Sequence, residues 1–100
     1  MSYHEMKGKH RAFVFIDVAP GKDRKVLEKL LKYDEVTEVH VITGQYDVLA
    51  VLEFELYGRE IFASFQETAS KFVVEKIRKL KDVRDTNTII PSFSATRRAE

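Results

Sequence analysis

TGQYDVLAVLEFE, residues 43–55, is the stretch that decides the fold. Its second part is a strand with apolar side chains on both faces: Val48, Ala50, Leu52 and Phe54 fall on one side, Leu49 and Val51 on the other. Its first part, Thr43-Gly44-Gln45-Tyr46-Asp47, puts a glycine turn, a phenol and a carboxylate at the strand entrance. Just upstream, VTEVHVI (residues 36–42) also runs at period two, with Thr37, Val39 and Val41 opposite Glu38 and His40, so the two segments form a hairpin about Gly44.

Working outward, RAFVFIDVAP places Ala12, Val14, Ile16 and Val18 on one face and Phe13, Phe15 and Asp17 on the other, and Pro20-Gly21 ends this first strand. In GKDRKVLEKLLKYDE, Val26, Leu27, Leu30 and Leu31 make one buried stripe of an amphipathic helix. Beyond Leu56 the period is helical again to about Leu80, through Ile61, Phe65, Ala69, Phe72, Val73 and Ile77. A last strand, Val83 to Ile90, precedes Pro91. The order is βαββαβ, an α+β chain of ferredoxin-like type. Right-handed crossovers put both helices on one face of a four-stranded sheet. The other face, carrying Phe13, Phe15, Leu49 and Val51, is too apolar for water, so a homodimer packed sheet to sheet, a dimeric α/β-barrel arrangement, is expected. Residues 1–10 read as a disordered or extended leader, 11–92 as the domain, and 93–100 as a frayed tail.

Composition bounds the function. The 100 residues are 44% hydrophobic and 33% charged with a formal net charge of +1, so no global field holds a polyanion or an anionic membrane. The absence of cysteine removes disulfides and thiolate metal sites. No signal peptide or membrane-spanning run occurs, and the chain reads as cytoplasmic. Lys76, Arg78, Lys79, Lys81 and Arg84 complement the end of a helix rather than marking a nucleic-acid surface. Arg97-Arg98 has no aromatic interleaving. His4, Glu5 and His10 lie in the leader with no common face, and His40 has no nucleophile beside it. Tyr57-Gly58, Phe62, Phe65 and Phe72 are at packing positions. No P-loop, GxSxG, HExxH or dinucleotide fingerprint is present, so neither catalysis nor a cofactor or metal is expected.

Two readings of residues 43–47 stand side by side. In one, Gly44 supplies positive φ and Asp47 bonds a nearby amide, giving only a turn. In the other, backbone amides at the glycine hold a carboxylate while Asp47, standing outside the sheet, holds an ammonium, so that the turn fixes both ends of a free amino acid.

VTEVHVITGQYDVLAVLEFE, the helix after it and LKDVRDTNTII resemble the effector (RAM) domain of the Lrp/AsnC family, the feast/famine regulators of amino-acid metabolism; APGKDRKVLEKLL is similar to that family's first strand-helix junction. The resemblance spans residues 12–91. It implies sheet-paired dimers that assemble further into rings or octamers, with amino-acid effectors bound between dimers near the turn. Carried onto this chain, it nominates Gly44, Gln45, Tyr46 and Asp47, with Thr86 and Thr88 as secondary candidates whose hydroxyls otherwise suit a pleated surface. About ten residues precede the first strand, too few for a DNA-binding helix-turn-helix. The chain therefore reads as a stand-alone effector module with no specific DNA contact of its own, acting by co-assembly with a full-length regulator; a piece of a longer regulator is the other reading. Two rivals share the fold: a small dimeric enzyme of monooxygenase or isomerase type, in which His40, Asn87 and Tyr33 would converge in a cavity, and an ACT-type amino-acid-binding domain, with its ligand at a helix N-terminus.

Overall fold

The computed structural model describes residues 4–5, 10–55 and 61–98, with the backbone alone for 4–5 and 61–63. Tyr57, Gly58 and the side chain of Phe62 lie outside the described residues. The elements are β1 (His4–Glu5), β2 (His10–Val18), α1 (Asp23–Leu30), β3 (Val36–Val41), β4 (Val48–Phe54), α2 (Ile61–Phe72), a π-helical turn (Val73–Ile77), β5 (Val83–Ile89) and β6 (Ala95–Thr96). The main sheet is antiparallel in the order β3-β4-β2-β5, so β2 and β4 are central and the βαββαβ expectation holds. No described helix is long and apolar enough to cross a membrane.

β2 organises the sheet. Ala12, Val14 and Ile16 are fully buried against the helices, paired with Leu52, Ala50 and Val48 of β4. Val26 and Leu30 of α1, and Phe65, Ala69, Phe72, Val73 and Ile77 of the second helix, complete this core. Each such large apolar side chain contributes about 1.5–3 kcal/mol on burial. At the strand-to-helix turn Gly21 takes φ 78°, which a Cβ would oppose, and Ala19 N–H donates to the Asp82 carbonyl at 2.8 Å. α1 has no side-chain N-cap, but Asp23 in its first turn accepts from Arg24 N–H at 2.7 Å and complements the helix dipole.

Four details depart from the sequence expectation. α1 stops at Leu30, so Leu31 is 50% exposed rather than part of the buried stripe. In β3 a bulge lies between Val36 and Glu38, so Val36 and Val39, not Thr37, share the helix side with Leu52 and Ala50 of β4. The tail is not simply frayed: β6 pairs antiparallel with β1, His4 opposite Thr96 and Glu5 opposite Ala95, as a ribbon separate from the main sheet.

The fourth is the π-helical turn, sealed by a bond from Arg78 N–H to the Val73 carbonyl at 2.8 Å. In an uninterrupted α-helix, the stripe Phe65, Ala69, Phe72 and Val73 next faces inward at Lys76. The extra residue of the π turn rotates Lys76 out to solvent and brings Ile77 in, where it is fully buried.

This phase shift is testable by urea unfolding. Ile77→Ala should lose about 2–5 kcal/mol, whereas Lys76→Ala should stay within about 0.5 kcal/mol. Comparable losses at both positions would mean that the helix keeps its α phase.

Candidate functional site

β3 and β4 are joined by residues 42–47, and Ile42 N–H donates to the Asp47 carbonyl at 2.9 Å. Gly44 adopts φ 140°, with open space where a Cβ would stand, so the restriction there is torsional rather than steric. Tyr46 folds back onto the uncovered face of the sheet and packs against Phe15, with ring centroids 5.6 Å apart. Beside these rings is a cleft of about 330 Å³ lined by Phe15, Ile42, Thr43, Gln45, Tyr46, Asn87 and Ile89. The lining is apolar and aromatic with three neutral polar side chains, a composition suited to a small organic ligand.

The sequence candidates divide. Gln45 and Tyr46 line the cleft, and Gly44 lies in the backbone between two lining residues. Thr86 and Thr88 pair with Ile16 and Val14, whose side chains are buried under the helices, so these threonines share the helix side of the sheet and do not meet the cleft. Asn87 between them, opposite Phe15, reaches it instead. Strand parity places Asn87 beside Ile89 and Phe15 once the register is known; only the long-range register was missing from the sequence.

Asp47 is not a free carboxylate outside the sheet. Its N–H donates to the Ile16 carbonyl at 3.1 Å, and its Oδ2 accepts from Val18 N–H at 3.0 Å. β4 supplies no backbone carbonyl that far along, and the side chain takes its place at the end of the ladder. The bond from Val18, then the one from Asp17, hold the Asp47 carboxyl below its usual value, and Arg84 adds to this. Asp17, extending the same register, faces Asp47. Its carboxyl is raised, first because its protonated form donates to Asp47, then by desolvation and by the Asp47 charge, with Arg84 opposing and Asp85 adding to the rise.

At the opposite end of this face, Glu38 lies 3.6 Å from the Arg11 guanidinium and 3.1 Å from His40 Nε2. Arg11 also covers the Phe13 ring at 5.5 Å from its centroid. Tyr33 meets Phe72 on the helix side, so His40, Asn87 and Tyr33 do not converge as the enzyme alternative requires. Among the described residues no group of three or more His, Asp or Glu is arranged to hold a metal ion.

The sequence of β2 to β4 and the fold match those of known proteins. The sequence profile of the Lrp/AsnC ligand binding domain matches residues 11–56. A hypothetical protein of Pyrococcus horikoshii superposes with a TM-score of 0.67 at 34% identity, covering 82% of this chain and 88% of that one. The chain belongs to the Lrp/AsnC family. FFRP-DM1, also 34% identical, has a TM-score of 0.67 and is covered over 97% of its length, with 82% of this chain. An uncharacterized HTH-type transcriptional regulator of Pyrococcus abyssi is 32% identical over 79 residues, which are 79% of this chain and 44% of that protein. The chain thus spans less than half the length of that regulator. Lrp/AsnC relatives of this kind are transcriptional regulators, not enzymes.

The carboxyl pair gives a pH prediction for this Lrp/AsnC domain. A raised value on Asp17 means that its contribution to stability is present in acid and lost as pH rises through that value, when two carboxylates come to face each other. Asp47, with its lowered value, contributes above the ordinary carboxyl range and loses this as pH falls through the lowered one. Asp17→Asn keeps a donor for Asp47 at every pH. Its melting temperature should exceed the parent's at pH 7, and the gain should shrink to nothing near pH 4, about the ordinary carboxyl value. An equal shift at both pH values would show that the pair does not share a proton.

Proposed function

We propose that this domain binds a free amino acid in the cleft at residues 43–47, pairs with a second copy through its uncovered sheet face, and so makes the assembly of an Lrp/AsnC-type regulator responsive to that ligand. The observation that carries the reading is the double position of Phe15. It belongs to the uncovered apolar face and, against Tyr46, forms a wall of the cleft. A ligand in the cleft therefore alters the surface on which a partner would sit, and affinity for the two is reciprocally linked.

The chemistry suits an α-amino acid. Phe15, Tyr46, Ile42 and Ile89 take an apolar side chain, the amides about Gly44 meet a carboxylate, and the Asp17–Asp47 pair next to Tyr46 supplies negative charge for an ammonium. Asp47 serves this role as one half of the pair, since its Oδ2 is already bonded to Val18. A transcriptional regulator of Neisseria meningitidis with the same fold, 21% identical with a TM-score of 0.60 over 82% of this chain and 49% of that one, was solved with L-methionine. Methionine and other apolar amino acids are accordingly the first ligands to test. Closed rings or octamers built from dimers, alone or together with an HTH-type regulator, are the assemblies to look for.

For the sheet face, Val51 is 2% exposed within one chain, although it lies outside the helix-side core. An acidic substitution there would test folding rather than association. Leu49, half-buried on the same face, is the better probe.

Two measurements follow. Thermal melts against each amino acid should show a rise for one or a few of them. At a ligand concentration about tenfold above Kd the gain is about 1.4 kcal/mol, or roughly 5–10 °C for a domain of this size. Tyr46→Ala and Asn87→Ala should abolish it, and a rise that survives both would place the ligand elsewhere. In sedimentation, Leu49→Asp should weaken self-association about 100-fold or more by burying an unpaired charge. A variant as dimeric as its parent would rule out this face.

A further inference from the structure

On the helix side of the sheet, away from the cleft, a second groove of about 380 Å³ lies between the turn before β3 and α2 with its π turn. Its floor is Phe54 and Phe72, whose rings meet edge to face at 5.9 Å. That floor is braced from behind, because Phe65 stacks edge-on to Phe54 at 5.8 Å and Tyr33 edge-on to Phe72 at 5.5 Å. Around it stand two cations, Lys71 and Lys76, and two anions, Glu35 and Glu75. The described ion pairs, Arg11 with Glu38 and His40 with Glu38, lie on the other face of the sheet.

The π turn builds this rim. Without its extra residue Lys76 would face the core, and with it both Glu75 and Lys76 reach the groove while Ile77 takes the buried position. π turns within α-helices recur at functional sites. A rim with two charges of each sign gives no net attraction to a simple anion or cation, but it can satisfy both ends of a zwitterion. The floor is aromatic, with Phe54 half-buried and Phe72 8% exposed, and it suits a flat apolar body between those ends.

We propose that this groove is a second small-molecule site, taking a free aromatic α-amino acid. The side-chain ring lies on Phe54 and Phe72, the carboxylate between Lys71 and Lys76, and the ammonium toward Glu35 and Glu75. The site shares no lining residue with the cleft at the turn and does not depend on the function proposed for it.

Calorimetric titration of the full chain with L-phenylalanine and L-tryptophan tests this, beside phenethylamine, which lacks the carboxylate, and 3-phenylpropionate, which lacks the ammonium. The amino acids should bind saturably and each truncated analogue about tenfold or more weaker, as loss of one charge-assisted contact implies. In a Tyr46→Ala background, which disables the cleft, the amino acids should still bind saturably, and adding Lys71→Gln with Lys76→Gln, both exposed and thus safe for the fold, should cause a similar loss. Three results would overturn the proposal: no saturable binding of either amino acid, binding that Tyr46→Ala removes and the lysine pair does not, or analogues that bind as well as the amino acids.

Discussion

Both helices of this chain cross to the same side of its sheet, and everything else follows from that. A βαββαβ order with right-handed connections allows no other arrangement. β2 and β4 are central strands with apolar side chains on both faces, so one set of residues enters the core and the other is left without a cover. Val51 shows how far one chain can go alone: it is 2% exposed although it lies outside the helix-side core. Ile89, on the edge strand, remains 48% exposed. The uncovered face is graded, with Arg11, Glu38 and His40 at one end, phenylalanines and aliphatics in the middle, and Asp17, Asp47 and Asp85 at the other.

The periodic parts of this architecture were legible because burial acts on every second or every third to fourth residue. Ala12, Val14 and Ile16, or Val26 and Leu30, announce their faces without knowledge of a partner. Departures from period were not legible, since each is decided by something distant. The bulge at Val36–Glu38 is a matter of registration against Leu52 and Ala50. The π turn comes from a competition in which burying Ile77 outweighs the regular bond pattern, because the alternative would turn Lys76 toward the core. The β1–β6 ribbon joins two segments with no pattern of their own.

The candidate cleft was legible to the same degree. Gln45 and Tyr46 line the cleft, and they stand out in the sequence because turn chemistry is local. Thr86 and Thr88 face the helix side and Asn87, named in the sequence only for the enzyme alternative, lines the cleft; one residue along a strand means the opposite face. No local feature of DTNT distinguishes the two parities. Only the pairing of Asn87 with Phe15 does so.

Asp47 shows why residue type alone misleads at such a turn. The carboxylate looked like a ligand handle because a plain hairpin turn has no use for one. A ladder in which β2 outruns β4 does, since Val18 N–H would otherwise have no acceptor. Through its amide, carbonyl and carboxylate Asp47 is tied to Ile16, Ile42 and Val18, so the turn is fixed to β2 at two points and closed on itself through Ile42. A turn held this way is poorly placed to swing as a lid. On the reading proposed for the cleft, a ligand there acts by filling the space beside Phe15 and changing the shape and charge of the sheet face itself. The Asp17–Asp47 pair makes that surface sensitive to positive charge, because an ammonium beside it relieves the same repulsion that a proton relieves in its absence. Ligand and proton then favour the same arrangement of the two carboxylates, and they do so next to the face that a second copy would cover.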